Sequence, residues 1–162
     1  MNPRSKLLSC LAMGMFLISG GSVYAREMPS KEQASISNGR YLVKIAGCND
    51  CHTKGYAQSD GNVPESQWLL GDDLGWNGAW GTTYPFNLRL FVQNMTEDAW
   101  MQKIKNARSR PPMPWYALRD MSEKDFRDIY RYLRHLGPAG KTAPAFVPPG
   151  QATKGPAVRY PQ

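Results

Sequence analysis

Cysteine and histidine are scarce in this chain, which has three cysteines and two histidines among 162 residues. One cysteine lies near the N-terminus, and the other cysteines and histidines are Cys48, Cys51, His52 and His135. A zinc site built from these four is disfavoured, because no usual spacing leaves more than eighty residues before the last ligand. A thioredoxin-type dithiol is also disfavoured, because no apolar stretch typical of a β-strand precedes Cys48.

The chain also lacks a hydrophobic run of the roughly 20 residues that a transmembrane helix needs. The longest run, Leu7–Val23, is slightly shorter and contains three glycines. Two basic residues precede it, and it is followed by Ala25, a small residue after which signal peptidase cleaves. Residues 1–25 are therefore predicted to be a cleaved signal peptide for export to the bacterial periplasm. An uncleaved anchor and a lipoprotein signal at Cys10 are the weaker alternatives.

Acidic residues are outnumbered, since 20 lysines and arginines face 13 aspartates and glutamates, for a net charge of +7. Without residues 1–25 the balance is 18 against 13, or +5, over 137 residues. The positive residues are scattered among acidic ones, so we expect an acidic protein partner and no binding to nucleic acid. A chain of this length forms one modest domain, with a sufficient core if a cofactor supplies part of it.

The most informative motif is Cys48-Asn49-Asp50-Cys51-His52, which has the C-x-x-C-H spacing of a covalent haem c site. Two thiols one helical turn apart can add to the two vinyl groups of the porphyrin, and the adjacent imidazole can bind the iron. Cys48 and Cys51 are therefore predicted to hold one haem c, with His52 as an iron ligand. No disulfide is expected, because the haem uses both cysteines. A free dithiol, a simple disulfide and a zinc site remain as alternatives.

The second iron ligand is predicted to be Met113, which lies in the sequence Pro111-Pro112-Met113-Pro114. The prolines restrict the backbone, so this segment can present one side chain with little further loss of entropy. Four other methionines follow residue 25, but they lie near the new N-terminus, beside an expected helix start or within an expected helix.

Three amphipathic segments predict helices. The first ends at Gly47, the second ends before Pro111, and the third ends at Gly137. The expected N-caps are Ser37 or Asn38 for the first helix, Thr96 for the second and Ser122 for the third. His135 falls on the polar side of the third helix and is expected to be solvated.

Two regions lack a helical pattern. Residues 53–95 combine glycine, asparagine and aspartate with many aromatics, and we expect them to pack on the haem as irregular loops rather than a sheet. Residues 137–162 are rich in proline, glycine and alanine and are expected to be an extended or mobile tail. Residues 26–36 are expected to be an N-terminal extension.

Together these motifs resemble the class I mono-haem c-type cytochromes, over residues 37–136. A helix with Gly39, the C-x-x-C-H motif, the Met113 segment and an amphipathic last helix occur in the order of that family. The resemblance implies an all-α cytochrome c fold, with three or more helices around one covalent haem and long irregular loops. It also implies that the first and last helices cross at Gly39, against Tyr130 or Leu133.

The same resemblance implies an electron carrier rather than an enzyme. The spacing before Cys48 is similar to that in cytochrome subunits of periplasmic dehydrogenases, so the implied partners are a dehydrogenase donor and an oxidase or cytochrome acceptor. Tyr84 and Asn87 lie in a segment that resembles one near the haem propionates, although a simple turn with buried aromatics explains it equally well. A permanent dehydrogenase subunit and a haem protein with an open sixth position remain as alternatives.

The C-x-x-C-H motif generates a first prediction. The exported protein should carry one haem that stays on the chain through acid-acetone extraction, and its intact mass should equal that of residues 26–162 plus one haem. Thioether bonds resist that extraction, whereas ligation to iron alone does not. A colourless protein with two free thiols would contradict the prediction.

Overall fold

The computed structural model describes residues 29–161, and the predicted signal peptide, residues 1–25, lies outside them. Two α-helices come first along these residues, followed by two short strands, four more α-helices and a last strand. The helices are α1 (Lys31–Ile45), α2 (Cys48–His52), α3 (Leu88–Phe91), α4 (Glu97–Lys105), α5 (Trp115–Asp120) and α6 (Glu123–Leu136). The strands are β1 (Gly75–Gly78), β2 (Gly81–Thr83) and β3 (Ala157–Arg159). Between residues 29 and 161, no helix is both long and apolar enough to cross a membrane.

Helix α6 forms the centre of the hydrophobic core. The Ser122 side chain accepts a hydrogen bond from the backbone N–H of Asp125 at 3.2 Å, which confirms the predicted cap. The helix ends at Gly137, as predicted, and His135 in its last turn is exposed. Its apolar side is buried against the other helices through Phe126, Ile129, Tyr130 and Leu133.

Helix α1 begins earlier than predicted. Ser30 is its cap, with a side chain that accepts from the backbone N–H of Gln33 at 3.1 Å, so the prediction of a cap at Ser37 or Asn38 is wrong. Asn38 lies inside the helix, where its side chain donates instead to Asp128 at 2.8 Å. Much of the expected extension, residues 26–36, is therefore part of the first helix.

Helices α1 and α6 approach closely at Gly39. A Cβ atom at this position would collide with the backbone carbonyl of Asp128 and would lie 2.8 Å from the Cβ of Tyr132. The expected crossing at Gly39 is thus confirmed, but its partners are Asp128 and Tyr132 rather than Tyr130 or Leu133. Residues 128 and 132 are one turn apart and share a face, whereas the Tyr130 hydroxyl points to the carbonyl of Met95.

A buried carboxylate joins the two helices beside this crossing. Asp128 is 2% exposed and accepts hydrogen bonds from Ser35 and Asn38 of α1 and from Lys124 of α6. Burial alone would raise the pKa of Asp128, but these three donors outweigh it and hold the pKa below its usual range. The network therefore stabilises the fold above the ordinary aspartate pKa of about 3.9, and this contribution is lost on acidification.

The prediction of an all-α fold is wrong, because helical residues make up 44% and strand residues 10% of the structure. The strands form a three-stranded mixed sheet in the order β2-β1-β3, with β1 antiparallel to β2 and parallel to β3. The prediction that residues 53–95 form no sheet fails for the same reason. The strands are three or four residues long, and β1 and β2 contain Gly75, Gly78 and Gly81, so they show neither β-propensity nor alternation.

The second predicted helix is shorter than expected. Its cap is confirmed, since the Thr96 side chain accepts from the backbone N–H of Ala99 at 3.2 Å. The helix ends at Lys105 instead of continuing to Pro111, and the Asn106 side chain donates to the carbonyl of Gln102 at 2.8 Å. The short helices α3 and α5 were not predicted.

The C-terminal segment is extended and packs along the sheet. Val147 pairs with Thr82 through two backbone hydrogen bonds of 2.8 and 3.0 Å, and its side chain is 2% exposed. Further along, β3 lies beside β1 in parallel. Residues 137–161 therefore belong to the folded body and do not form a mobile tail.

The close approach at Gly39 generates a second prediction. Gly39→Ala should lower the free energy of unfolding by about 1–3 kcal/mol, because the new methyl group overpacks a contact made by backbone atoms. Thermal or urea unfolding of the purified protein measures this. Ser37→Ala, an exposed change in the same helix, should stay within about 0.5 kcal/mol of the wild type. A Gly39→Ala protein as stable as the wild type would contradict the proposed contact.

Candidate haem site

The C-x-x-C-H motif forms its own short helix. Helix α1 ends at Ile45, and Gly47 adopts φ +69°, a left-handed conformation that suits glycine and turns the chain into α2. Cys48 and Cys51 then lie one turn apart, and both are unpaired, partly buried residues. This is the spacing that attachment to two vinyl groups requires.

His52 at the end of α2 is held in one orientation. Its side chain is buried, and its Nδ1 lies 2.8 Å from the carbonyl oxygen of Phe86. Burial lowers the pKa of His52, an effect that this hydrogen bond opposes only in part, so the ring is neutral at pH 7. Since Nδ1–H donates to Phe86, the lone pair of the neutral ring is on Nε2, the form in which histidine binds a metal.

Buried hydrogen bonds fix α2 to two neighbouring segments. The Thr53 hydroxyl donates to the Asn49 side chain at 2.7 Å and accepts from the backbone N–H of Leu69 at 2.7 Å. The backbone N–H of Gly71 donates to the carbonyl of His52 at 2.8 Å. A five-residue helix is unstable alone, so these contacts keep His52 in place.

His52 and Cys51 line a cavity of about 330 Å³. This volume is within the range of roughly 300–1,000 Å³ that ligand sites occupy. The walls are largely apolar and aromatic, and they come from the loop around the sheet, the segment before α5 and the C-terminal segment. The other lining residues are Trp76, Thr83, Tyr84, Pro85, Phe86, Arg108, Ser109, Arg110, Pro112, Met113, Pro144 and Phe146.

Met113 lines the same cavity as His52, although the two residues are far apart in the sequence. The other methionines of residues 29–161 lie elsewhere. Met101 is buried in the helical core, Met121 packs against that core, and Met95 is in the turn before α4, with its carbonyl bonded to Tyr130. The residue predicted as the second ligand is therefore the methionine that faces the C-x-x-C-H motif.

Tyr84 and Asn87, the residues expected near the haem propionates, differ in their position relative to the cavity. Tyr84 is 5% exposed, lines the cavity and accepts a hydrogen bond from the backbone N–H of Lys154 at 2.8 Å. Asn87 is not among the lining residues, because it caps α3 by accepting from Leu90 and donates to the carbonyl of Ala139. Asn87 thus has a structural role in capping α3 and in holding the chain at Ala139.

Three polar groups of the cavity wall were missed from the sequence. Arg108 and Arg110 line it, and their guanidinium groups stack on Trp115 and Phe146, 4.3 and 3.8 Å from the ring centroids. The hydroxyl of Thr83 is buried and has no hydrogen-bond partner among residues 29–161. The cavity thus offers two cations and a free hydroxyl donor to an anionic group. The only feature of the sequence that could have indicated the two arginines is their position a few residues before Met113.

The side chains of the motif do not favour the alternative chemistries. Burial raises the pKa of Cys48 to about 11 and also raises that of Cys51, whereas a reactive dithiol needs a lowered thiol pKa. In the described part of the chain, no three histidine, cysteine, aspartate or glutamate side chains group closely enough to hold a metal ion. A zinc site is therefore unsupported. Haem iron is a different case, because the porphyrin supplies four of its ligands.

No family model, no curated protein and no solved structure matches this chain. Inference about its function therefore depends on its own residues and their geometry.

The residues of the cavity fit a c-type haem. The Cys51 thiol lies on the cavity beside a neutral, oriented imidazole, a thioether lies on the same cavity, and the walls are aromatic. Cys48, one turn before Cys51, packs against the helical core and does not line the cavity. The unpartnered hydroxyl of Thr83 and the two arginines suit the carboxylates that a haem carries. Of these groups, the buried Thr83 hydroxyl is the one that an apolar ligand would leave unsatisfied.

Proposed function

We propose that this chain is an exported electron-transfer protein that carries one haem c, bound to Cys48 and Cys51 and ligated by His52 and Met113. The observation that carries the proposal is the single cavity onto which His52, Cys51 and Met113 all converge. The resemblance of the motif order to class I c-type cytochromes supports the same conclusion. The mixed fold does not oppose it, because the sheet forms a wall of the site and the helical core remains.

A haem in this cavity supplies a one-electron ferrous/ferric couple. The chain's own residues control that couple. The Phe86 carbonyl orients His52 and increases its basicity, while the thioether of Met113 favours the reduced metal and raises the potential. Aromatic walls exclude water and Arg108 and Arg110 add positive charge, which both favour the less positive, ferrous state.

Electron transfer fits the residues better than haem catalysis. A catalytic site needs an open position on the metal and an acid or base beside it, and histidine is a common choice. The other described histidine, His135, is exposed on α6 and is not among the cavity residues. With Met113 at the cavity, the proposed role is a carrier between a periplasmic dehydrogenase and an oxidase or another cytochrome.

The role of Met113 generates a third prediction. Met113→Leu keeps the size of the side chain but removes the sulfur, so the ferric protein should lose the near-infrared charge-transfer band of methionine ligation. The reduction potential should fall by more than about 60 mV, a tenfold change in a one-electron equilibrium. The ferrous variant should also bind carbon monoxide. Spectroscopy, redox titration and CO difference spectra measure the three effects.

Met101→Leu and Met121→Leu are matched controls for that variant. Both residues contact the helical core, and exchange of methionine for leucine is well tolerated there, so the band and the potential should not change. A wild-type protein without the band would instead favour an open sixth position, as in a haem enzyme or gas-binding protein. An unchanged band in Met113→Leu would assign the ligand to another residue.

The charge of the chain generates a fourth prediction. The mature net charge of +5 and the exposed arginines at the cavity should attract an anionic electron acceptor. Stopped-flow oxidation by ferricyanide should therefore slow as ionic strength rises, because salt screens the attraction over about 10 Å at 0.1 M. A cationic cobalt complex is the control and should show the opposite trend. The same salt response with both reagents would contradict electrostatic steering.

A further inference from the structure

The C-terminal segment, residues 137–161, is hydrogen-bonded to the body of the protein both before and after its cavity-lining residues, Pro144 and Phe146. Before these residues, Asn87 donates to the carbonyl of Ala139 at 2.8 Å. After them, the backbone N–H of Lys154 donates to the Tyr84 hydroxyl at 2.8 Å. Between these points Val147 is paired with β2. The stretch from residue 139 to residue 154 is therefore held in a fixed path.

This path takes the segment along the cavity. Pro144 and Phe146 line the cavity together with His52 and Met113, so residues that are remote in sequence from both ligands supply part of its wall. Phe146 is half-buried, while the next residue, Val147, is fully buried and fixes the backbone at that point. The ring of Phe146 is thus presented by a rigid support.

The Met113 segment has few attachments of its own. In the described part of the chain, residues 107–114 form hydrogen bonds only with residues 104–117. Such bonds shape the segment but do not set its distance from α2. A contact with a fixed, remote element is needed to set that distance, because local bonds alone leave a loop free to move as a unit.

The stack between Arg110 and Phe146 provides such a contact. The guanidinium carbon of Arg110 lies 3.8 Å from the centroid of the Phe146 ring, well within the range of a cation–π contact. Arg110 and Met113 belong to one turn, since the backbone N–H of Met113 donates to the carbonyl of Arg110 at 3.3 Å. Displacement of Arg110 would therefore displace Met113.

We propose that Phe146 is a positioning residue for Met113: through Arg110 it holds the Met113 segment at the cavity, and the C-terminal segment thereby controls access to the sixth position of the haem iron. This inference rests on the proposed function, because it requires the haem and the Met113 ligand. The inference goes beyond the proposed function because it assigns a role to the C-terminal segment, which carries no iron ligand.

The test compares variants of the full-length, haem-loaded protein. In Phe146→Leu the stack is lost, and the fraction of molecules with Met113 displaced should rise. Imidazole added to the ferric protein competes for that position, and its apparent affinity follows the displaced fraction, so it should increase about tenfold or more. The methionine-to-iron band should weaken in parallel. Phe146→Tyr keeps the stacking face and should restore wild-type behaviour.

Further variants separate positioning from general destabilisation. Tyr160→Leu removes another aromatic of the same segment, one that does not line the cavity itself. Tyr160 packs on Trp80 and on the lining residue Trp76, with ring centroids 5.3 and 6.3 Å apart. This control therefore loosens the segment and one wall but leaves the Arg110 stack in place. It should leave the imidazole affinity within about twofold of the wild type.

Arg110→Gln removes the cation of the stack and should reproduce Phe146→Leu, with little added effect in the double variant. Arg108→Gln removes the other arginine of the cavity, which stacks on Trp115 instead, and should not reproduce it. Arg110→Gln also replaces Phe146→Leu as the test if that protein does not fold.

The outcomes distinguish this inference from the proposed function. A wild type without covalent haem or without the methionine band overturns the proposed function, whatever the variants do. A wild type with both, whose imidazole affinity is unchanged by Phe146→Leu and by Arg110→Gln, overturns the positioning role alone. An equal increase in Tyr160→Leu would also overturn it, since loosening of the whole segment would then explain the effect.

Discussion

The hydrogen bond from His52 to the carbonyl of Phe86 is the interaction on which the site depends. It selects the tautomer, leaves the lone pair on Nε2, the nitrogen proposed to bind iron, and brings two remote parts of the chain together. Its geometry is possible because Gly71 lets the segments around residues 70 and 86 approach closely. A Cβ at Gly71 would lie 2.7 Å from the carbonyl oxygen of Pro85 and 2.8 Å from the backbone nitrogen of Asn87. The orientation of the imidazole therefore depends on a glycine that does not touch it.

The cavity is assembled from segments with different degrees of restraint. The His52 wall is fixed by buried hydrogen bonds through Thr53 and by the helical core behind α1. The Met113 wall belongs to a segment with only local hydrogen bonds. The C-terminal wall is rigid because Val147 joins it to the sheet. If His52 and Met113 bind iron as proposed, a third element sets the distance between the fixed residue and the less restrained one.

The sequence predicted the parts of the protein that short-range patterns determine. The caps at Thr96 and Ser122 and the end of α6 are all local, and each is confirmed. Gly39 was also found, although through the resemblance to a family and not through its pattern. Its partner Asp128 was missed, because a buried carboxylate is recognisable only when the donors on the other helix are known.

The sheet and the path of the C-terminal segment depend on pairing between residues far apart in the chain, which short-range sequence patterns do not show. The sheet joins residues 75–83 to residues 157–159, and glycines in β1 and β2 hide both the period of two and the β-propensity. Phe146 and Val147 were isolated apolar residues in a proline-rich segment, so composition favoured a free tail. A single apolar pair can fix an extended segment when the sheet edge beside it supplies the hydrogen bonds, and composition does not detect that edge.

The contacts that stabilise the helical core are separate from those that hold the Met113 segment at the cavity. The α1–α6 core is held by the Gly39 crossing and the Asp128 network, neither of which touches the cavity. The Met113 segment can therefore open while the core stays folded, in the way that weakly attached loops open locally in other proteins. For an electron carrier such an opening would replace a sulfur ligand and lower the potential. Under the proposed positioning role, the contacts of Phe146 would therefore act on the ligation of the iron, and the α1–α6 core would not be disturbed.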